Sequence, residues 1–259
     1  MKNLLQTLCG LFLVVFYSSC MNLGDNRVDV LIVGGGASGV TSGIQAARMG
    51  ANTLILEETT WLGGMLTSAG VSAVDGNYRL PAGLWGEFKN RLSDYYGGLD
   101  SLKTGWVSNV LFEPSVGNKI FHEMVSAEKN LKVWKQTRLE EVKRVGDEWI
   151  AKVNVEGQGM KTVRSKVMID ATELGDVAKM CGVGYDIGME SKNDTHEDIA
   201  PEKPNNIVQD ITYVAILKDY GKDVTIPEPE GYDLKNLLVR VLIRYVLLPR
   251  SRTVSGLKK

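Results

Sequence analysis

The chain has 259 residues, 44% of them hydrophobic and 24% charged, with a formal net charge of −1. That is the composition of a folded globular body, which excludes an intrinsically disordered chain and leaves no basic footprint for a nucleic-acid partner. No internal repeat is visible, and the length suits one domain carrying a substantial insertion.

Residues 1–20 come first and differ from the rest. Lys2 gives a minimal positive start, the fourteen residues 4–17 form an apolar run broken by little beyond Gln6 and Thr7, and Ser18-Ser19-Cys20 closes it. This is the pattern of a secretory signal peptide, too short to span a bilayer comfortably as a mature helix. Small residues directly before Cys20 resemble the cleavage box of bacterial lipoproteins. The resemblance implies that Cys20 is lipidated, that 21–26 are a tether, and that the protein is exported to a periplasmic or cell-surface membrane face, its membrane partner reached through the N-terminal lipid. Simple cleavage and release is the other reading, because Tyr17 stands where Leu is more usual.

Residues 27–75 carry the main signal. Positions 28–33, Val-Asp-Val-Leu-Ile-Val, predict a strand buried on both faces of a parallel sheet. A G-x-G-x-x-G pattern follows at once. Gly34 is assigned the tight turn, Gly36 the close approach of backbone to a pyrophosphate, and Gly39 the close packing of the following helix. Val40, Ile44 and Ala47 fall at helical spacing, with Gly50 as the stop. The N-terminus of that helix, with Ala37 and Ser38, then offers N–H groups to the phosphates. Residues 53–56 predict the second strand and place Glu57 at its carboxyl end, where a carboxylate accepts bonds from ribose hydroxyls and repels a 2′-phosphate. A Gly triplet alone is weak, but these parts stand in the order the fold demands.

Two later features separate FAD from NAD. Gly63-Gly64 follow Glu57 by six and seven residues, and 167–176 read Val-Met-Ile-Asp-Ala-Thr-Glu-Leu-Gly-Asp. Together they resemble two-dinucleotide-binding-domain flavoproteins, with Thr59-Thr60-Trp61-Leu62 where an Arg is common and Glu173 where a Gly is usual. With Gly-Gly-Met-Leu-Thr at 63–67 and Phe-Glu-Pro at 112–114, the chain resembles more narrowly the bacterial FAD-dependent oxidoreductases often found among secreted proteins, over about residues 27–233. The resemblance implies an α/β fold: a Rossmann-like FAD-binding domain, a parallel sheet with a βαβ unit and a β-meander, holding an inserted, partly incomplete substrate region. It implies that Gly34, Gly36, Ala37, Ser38 and Gly39 hold the pyrophosphate and Glu57 the ribose. Gly63, Gly64 and Met65 then pass the cofactor near its ring side, Ala171, Thr172 and Asp176 close around the ribityl and phosphate region, and the backbone near Leu139 passes the adenine. The segment 170–176 has a plainer reading as a strand leaving the sheet and capping a helix.

Residues 76–130, rich in Gly, aromatic and polar residues, are assigned to an inserted substrate or cap segment, and 131–185 to the return to the FAD domain. Within the return, 132–135 predict a third parallel strand, while 138–145, 149–155 and 163–169 predict a meander. Residues 186–233 begin the substrate domain. The last stretch, 234–259, holds seven Lys or Arg and no Asp or Glu, and is read as an atypical tail on a chain incomplete at its carboxyl end; an amphipathic membrane-surface helix over 237–248 is the other reading. Outside the leader only Cys181 remains, so no intramolecular disulfide is available, and with two His there is no convincing metal cluster. Cys181 is expected to be a buried structural thiol. No catalytic acid or base is assigned; Asp75, Arg79 and His122 are polar candidates only. The expected activity is transfer of hydride equivalents from a small organic, carbohydrate-related for instance, substrate to flavin. An inactive nucleotide-binding remnant and an NAD-dependent dehydrogenase are the rival readings.

Overall fold

A computed structural model describes residues 26–104 and 108–209 and, beyond them, 214, 220–225, 227, 230 and 231. The leader with Cys20 and the basic tail lie outside the described residues. The described residues fall into two compact units, one from within 1–64 and 121–211, the other from within 65–120 and 212–259.

The first unit is built on a six-stranded sheet. Strand β1 (Asn26–Val33) leads through a glycine loop into helix α1 (Ala37–Arg48), and β2 (Thr53–Leu56) pairs parallel to β1 with Ile32 opposite Ile55. Leu31, Ile32, Leu54, Ile55 and Leu56 are fully buried, as an apolar run between two covered faces must be. Each contributes on the order of 1.5–3 kcal/mol of burial. Helix α1 buries Val40, Ile44 and Ala47 on this sheet, and Gly43 lets it come close: a Cβ there would lie 2.6 Å from Ile55 Cδ1. Gly50, at φ +93°, ends the turn after α1.

Strand β5 (Leu131–Trp134) pairs parallel to β2, and the meander β6 (Thr137–Val145), β7 (Glu148–Val155) and β8 (Gly159–Asp170) returns antiparallel until β8 lies parallel to β1. The order is β5-β2-β1-β8-β7-β6. Alternate residues of the meander, Leu139, Ala151, Val153, Val155 and Val163, share one core with Leu31, Val33, Leu54 and Leu56. Beyond β8 lie two short helices, Asp176–Met180 and Lys192–Thr195. Cys181 corrects the expectation of a buried thiol: the first of these helices ends at Met180 and buries only Val177, which leaves Cys181 exposed just beyond its last turn.

In the second unit, β3 (Ala73–Val74) pairs antiparallel with β4 (Val110–Leu111), and helix α2 (Gly83–Tyr96) sets Phe88 edge-on to Phe112 with 5.5 Å between ring centroids. The buried Lys89 donates to the carbonyls of Tyr78 (2.9 Å) and Leu80 (2.8 Å), which pins the loop ahead of α2. The Tyr96 hydroxyl accepts the Glu113 N–H at 2.9 Å and donates to the Glu113 carboxylate at 3.4 Å, just before helix α3 (Pro114–Ser126). Burial first, then the Glu113 charge, pushes this phenol above its ordinary range.

Candidate functional site

Strand β1 continues to β2 on one side and lies beside β8 on the other, so the carboxyl end of β1 is where the strand order reverses. Ligands of open α/β sheets bind in the crevice at such a point. Three backbone hydrogen bonds draw the strand ends together there: Gly34 N–H to Leu56 O (2.9 Å), Ala171 N–H to Val33 O (2.8 Å) and Gly63 N–H to Gly35 O (2.8 Å).

The glycines at this point are required by space. Gly34 adopts φ +101°, and a Cβ on it would meet Ala171 O at 2.3 Å; a Cβ on Gly39 would lie 1.9 Å from Gly34 O. These contacts fix the turn and the helix-to-strand packing. Gly36 is different, because its backbone is ordinary (φ −63°) and a Cβ there would meet only Glu173 Oε1, at 3.3 Å. It caps α1 with no side chain, so the first-turn N–H groups at Ala37, Ser38 and Gly39 have no side-chain cap and, by helix geometry, no intrahelical partner. Gly63 bridges in parallel to Gly36, and Gly64, at φ +52°, comes so near that its Cβ would lie 3.0 Å from Gly36 Cα. The result is a cradle whose own glycines carry no side chains, at a positive helix end, suited in shape and charge to a diphosphate.

Glu57 is 8% exposed, and its carboxylate is held on both sides. Oε2 accepts the Gly35 N–H at 2.8 Å and Oε1 the Thr59 N–H at 2.7 Å. Its backbone joins β5 to β6, with the Glu57 N–H donating to Trp134 O and the Thr137 N–H to Glu57 O, both at 2.9 Å. Each carboxylate oxygen keeps a further lone pair, so a ribose hydroxyl can still be received. The same geometry explains Gly35, which the sequence reading passed over: a Cβ there would strike Glu57 Oε2 at 2.7 Å and Leu62 Cδ2 at 3.0 Å. The only signal for it was the unbroken Gly triplet.

A cleft of about 260 Å³ opens beside this loop, lined by Glu58, Gln136, Thr137, Arg138, Asn154 and Glu156. Gln136 stands in the left-handed region at φ +50° and is held there by its N–H to Thr59 O (3.2 Å) and by its side-chain amide on Glu156. Leu139 lies one residue beyond Arg138, the last lining residue on β6, with its side chain in the core. The cleft therefore meets the residues just before Leu139.

At the end of β8 the chain makes a cap. Asp170 Oδ1 accepts the Thr172 N–H (3.0 Å) and hydroxyl (2.6 Å), Oδ2 accepts the Ala178 N–H (2.8 Å), and the Thr172 hydroxyl accepts the Asp176 N–H (2.8 Å). Burial alone would raise the Asp170 carboxyl, but hydrogen bonds from Thr172, Ala178 and Val177 outweigh it and hold it below its ordinary value. The Thr172 hydroxyl and the Asp176 N–H thus take part in the helix start, while Ala171 packs against Gly34 and Gly39. Met65, on the turn Gly64–Leu66, is 58% exposed and begins the second unit. Asp75 and Arg79 are exposed and belong to that unit as well. His122 is half-buried on α3, and burial followed by the Lys135 charge pushes its imidazole down.

Fold and site define a Rossmann-like α/β protein in which two glycine loops meet at the switch point of the sheet. The chain belongs to the FAD dependent oxidoreductase family, whose model matches residues 29–245, and its cofactor is FAD. The match runs past Asp233, where the sequence resemblance was placed to end. No curated protein sequence matches the chain. Among solved structures, p-nitrophenol 4-monooxygenase PnpA from Pseudomonas putida DLL-E4 is similar at 15% identity and a TM-score of 0.44, covering 63% of this chain and 46% of that one. OxyS anhydrotetracycline hydroxylase from Streptomyces rimosus has 15% identity, a TM-score of 0.46 and coverages of 63% and 36%. The flavin-dependent monooxygenase PieE, solved with FAD and substrate, has 15% identity, a TM-score of 0.40 and coverages of 64% and 34%. The chain thus spans less than half the length of these enzymes.

Proposed function

We propose that this chain holds FAD for an oxidoreductase that takes hydride equivalents from a C–H bond of a small organic substrate, carbohydrate-related compounds among them. The observation that carries the reading is the cradle of Gly34, Gly36, Gly39 and Gly64 at the sheet's switch point, where a Cβ on Gly34, Gly39 or Gly64 would strike its neighbours and Gly36 leaves the helix end open to all but the Glu173 carboxylate. Bound there, FAD supplies the two-electron acceptor chemistry. The chain's own residues bind and orient it: the first turn of α1 faces the diphosphate, Glu57 receives the ribose, and the backbone at 136–138 borders the cleft suited to the adenine. Ala171 keeps the return from β8 against Gly34. A spectrum of the purified full chain tests this, because bound flavin absorbs near roughly 450 nm. Displacement by ADP and indifference to NADP are expected; preference for NADP over ADP would refute the assignment.

We propose further that the protein is exported and anchored through a lipid on Cys20 at a membrane face, with no nucleic-acid partner. The support is the apolar run at 4–17 ending in Ser18-Ser19-Cys20. Labelled fatty acid fed to an expressing bacterium should enter the protein and be lost in Cys20→Ala. Unchanged labelling of that variant would sink the idea.

A further inference from the structure

Glu173 follows Ala171 and Thr172 just beyond the end of β8, and the structure shows where its side chain goes. A single oxygen, Oε1, lies 2.8 Å from the point a Cβ on Gly64 would occupy and 3.3 Å from the corresponding point on Gly36. It therefore covers both glycine loops of the cradle at once. The segment carrying it is fixed on either side: Thr172 is tied to Asp170 by its N–H and hydroxyl, and Gly175 turns the chain at φ +71° into the next helix. α1 has no acidic residue in its first turn and no side-chain cap, so its positive end meets this carboxylate rather than one of its own. A diphosphate seated on the same cradle would put two anions in one place, and like charges at such range repel strongly.

We propose that Glu173 is an anionic stopper on the phosphate cradle, which must turn aside before a dinucleotide diphosphate can seat. It slows the entry of FAD and lowers its affinity, and it selects against weak anions that cannot displace it. The inference rests on the cradle being the FAD diphosphate site.

The test is a titration and stopped-flow measurement on the purified full chain, read by quenching of flavin fluorescence for FAD and by calorimetry for ADP and adenosine. E173Q keeps the size of the side chain and removes its charge; E173A removes both. Each should speed FAD association and tighten FAD and ADP by about tenfold. Adenosine, which has no phosphate, should bind unchanged, and E140Q on exposed β6 should behave as the parent. Unchanged FAD and ADP affinity in both variants would overturn the proposal. Weaker binding would overturn it too, by making Glu173 a ligand of the cofactor. An equal gain for adenosine would place the effect away from the diphosphate. If the parent and both variants bind none of the three, the cradle assignment itself falls and takes the stopper with it.

Discussion

Residues 26–64 and 174–208 belong to the same compact unit, are of similar length, and treat their apolar side chains in opposite ways. In the first stretch Leu31, Ile32, Val40, Ile44, Ile55 and Leu62 are all fully buried. In the second, Leu174 is 87% exposed, Ile199 92%, and Tyr185, Ile187 and Ile207 are exposed with them. Val177 alone among its apolar side chains joins the core, and further order comes from local polar links: the Ser191 hydroxyl on Asp194 at 2.6 Å and the backbone bridge between Met189 and Asn205. One region is held by close packing of strand and helix, the other chiefly by caps and turns, and stability should be distributed accordingly.

The largest effect should come from adding volume where the first region has none. Gly39→Ala places a methyl 1.9 Å from the Gly34 carbonyl oxygen, so α1 must leave the strand or the turn must open. Urea unfolding of the full chain should show a loss of more than ~3 kcal/mol. A loss under ~1 kcal/mol would mean that this packing has slack and that the contrast with 174–208 is false.

Gly36→Val separates the site from the fold. A side chain there meets only the movable Glu173 carboxylate, so the body should remain folded with its stability changed by less than ~1 kcal/mol. FAD binding, read by fluorescence quenching, should be lost, because the added methyls stand where the diphosphate approaches. Retained FAD binding would move the diphosphate away from Gly36.

How much of this was legible in the sequence follows from the same contrast. The second strand was placed at 53–56 and is found there, since Gly50 ends the preceding turn and Glu57 is fixed between β5 and β6. The first strand begins two residues before the predicted Val28, because Asn26 and Arg27 are polar but still pair with Val163 and Arg164 of β8. Strand β8 likewise starts at Gly159, where residues without apolar alternation are ordered by pairing with β7 rather than by burial. The glycine roles could be read because backbone clearance leaves a pattern. Gly35 and Glu173 could not: one is required by a side chain 22 positions later, and the other matters through where its carboxylate points. Cys181 was misplaced because a helix of five residues buries one side chain, not a face.

Asp170 stands at the junction of the two regions, and its removal should cost an intermediate amount. Asp170→Ala deletes the acceptor for the Thr172 and Ala178 N–H groups and should cost about 1 to 2 kcal/mol, the usual price of a lost cap. The pH dependence has a definite sign. The carboxyl is held below its unfolded value, so its contribution is complete above that unfolded value, near about 4, and is lost as pH falls through the lower folded one. Acid unfolding followed by circular dichroism should therefore be less steep below about pH 4 in Asp170→Asn than in the parent. Identical acid profiles would show that the cap does not hold in solution.

The smallest effect is expected where the second region is most exposed. Leu174 and Ile199 are solvated in this structure, so replacing each by Ser removes almost no buried area. The double variant should unfold within about 0.5 kcal/mol of the parent, the usual range for surface substitutions. It should also stay monodisperse to higher concentration in light scattering, because contiguous exposed apolar surface promotes association. A loss of more than ~1 kcal/mol would show that these side chains are covered in solution, and the distinction between a region held by packing and one held by caps would then have to be drawn further along the chain.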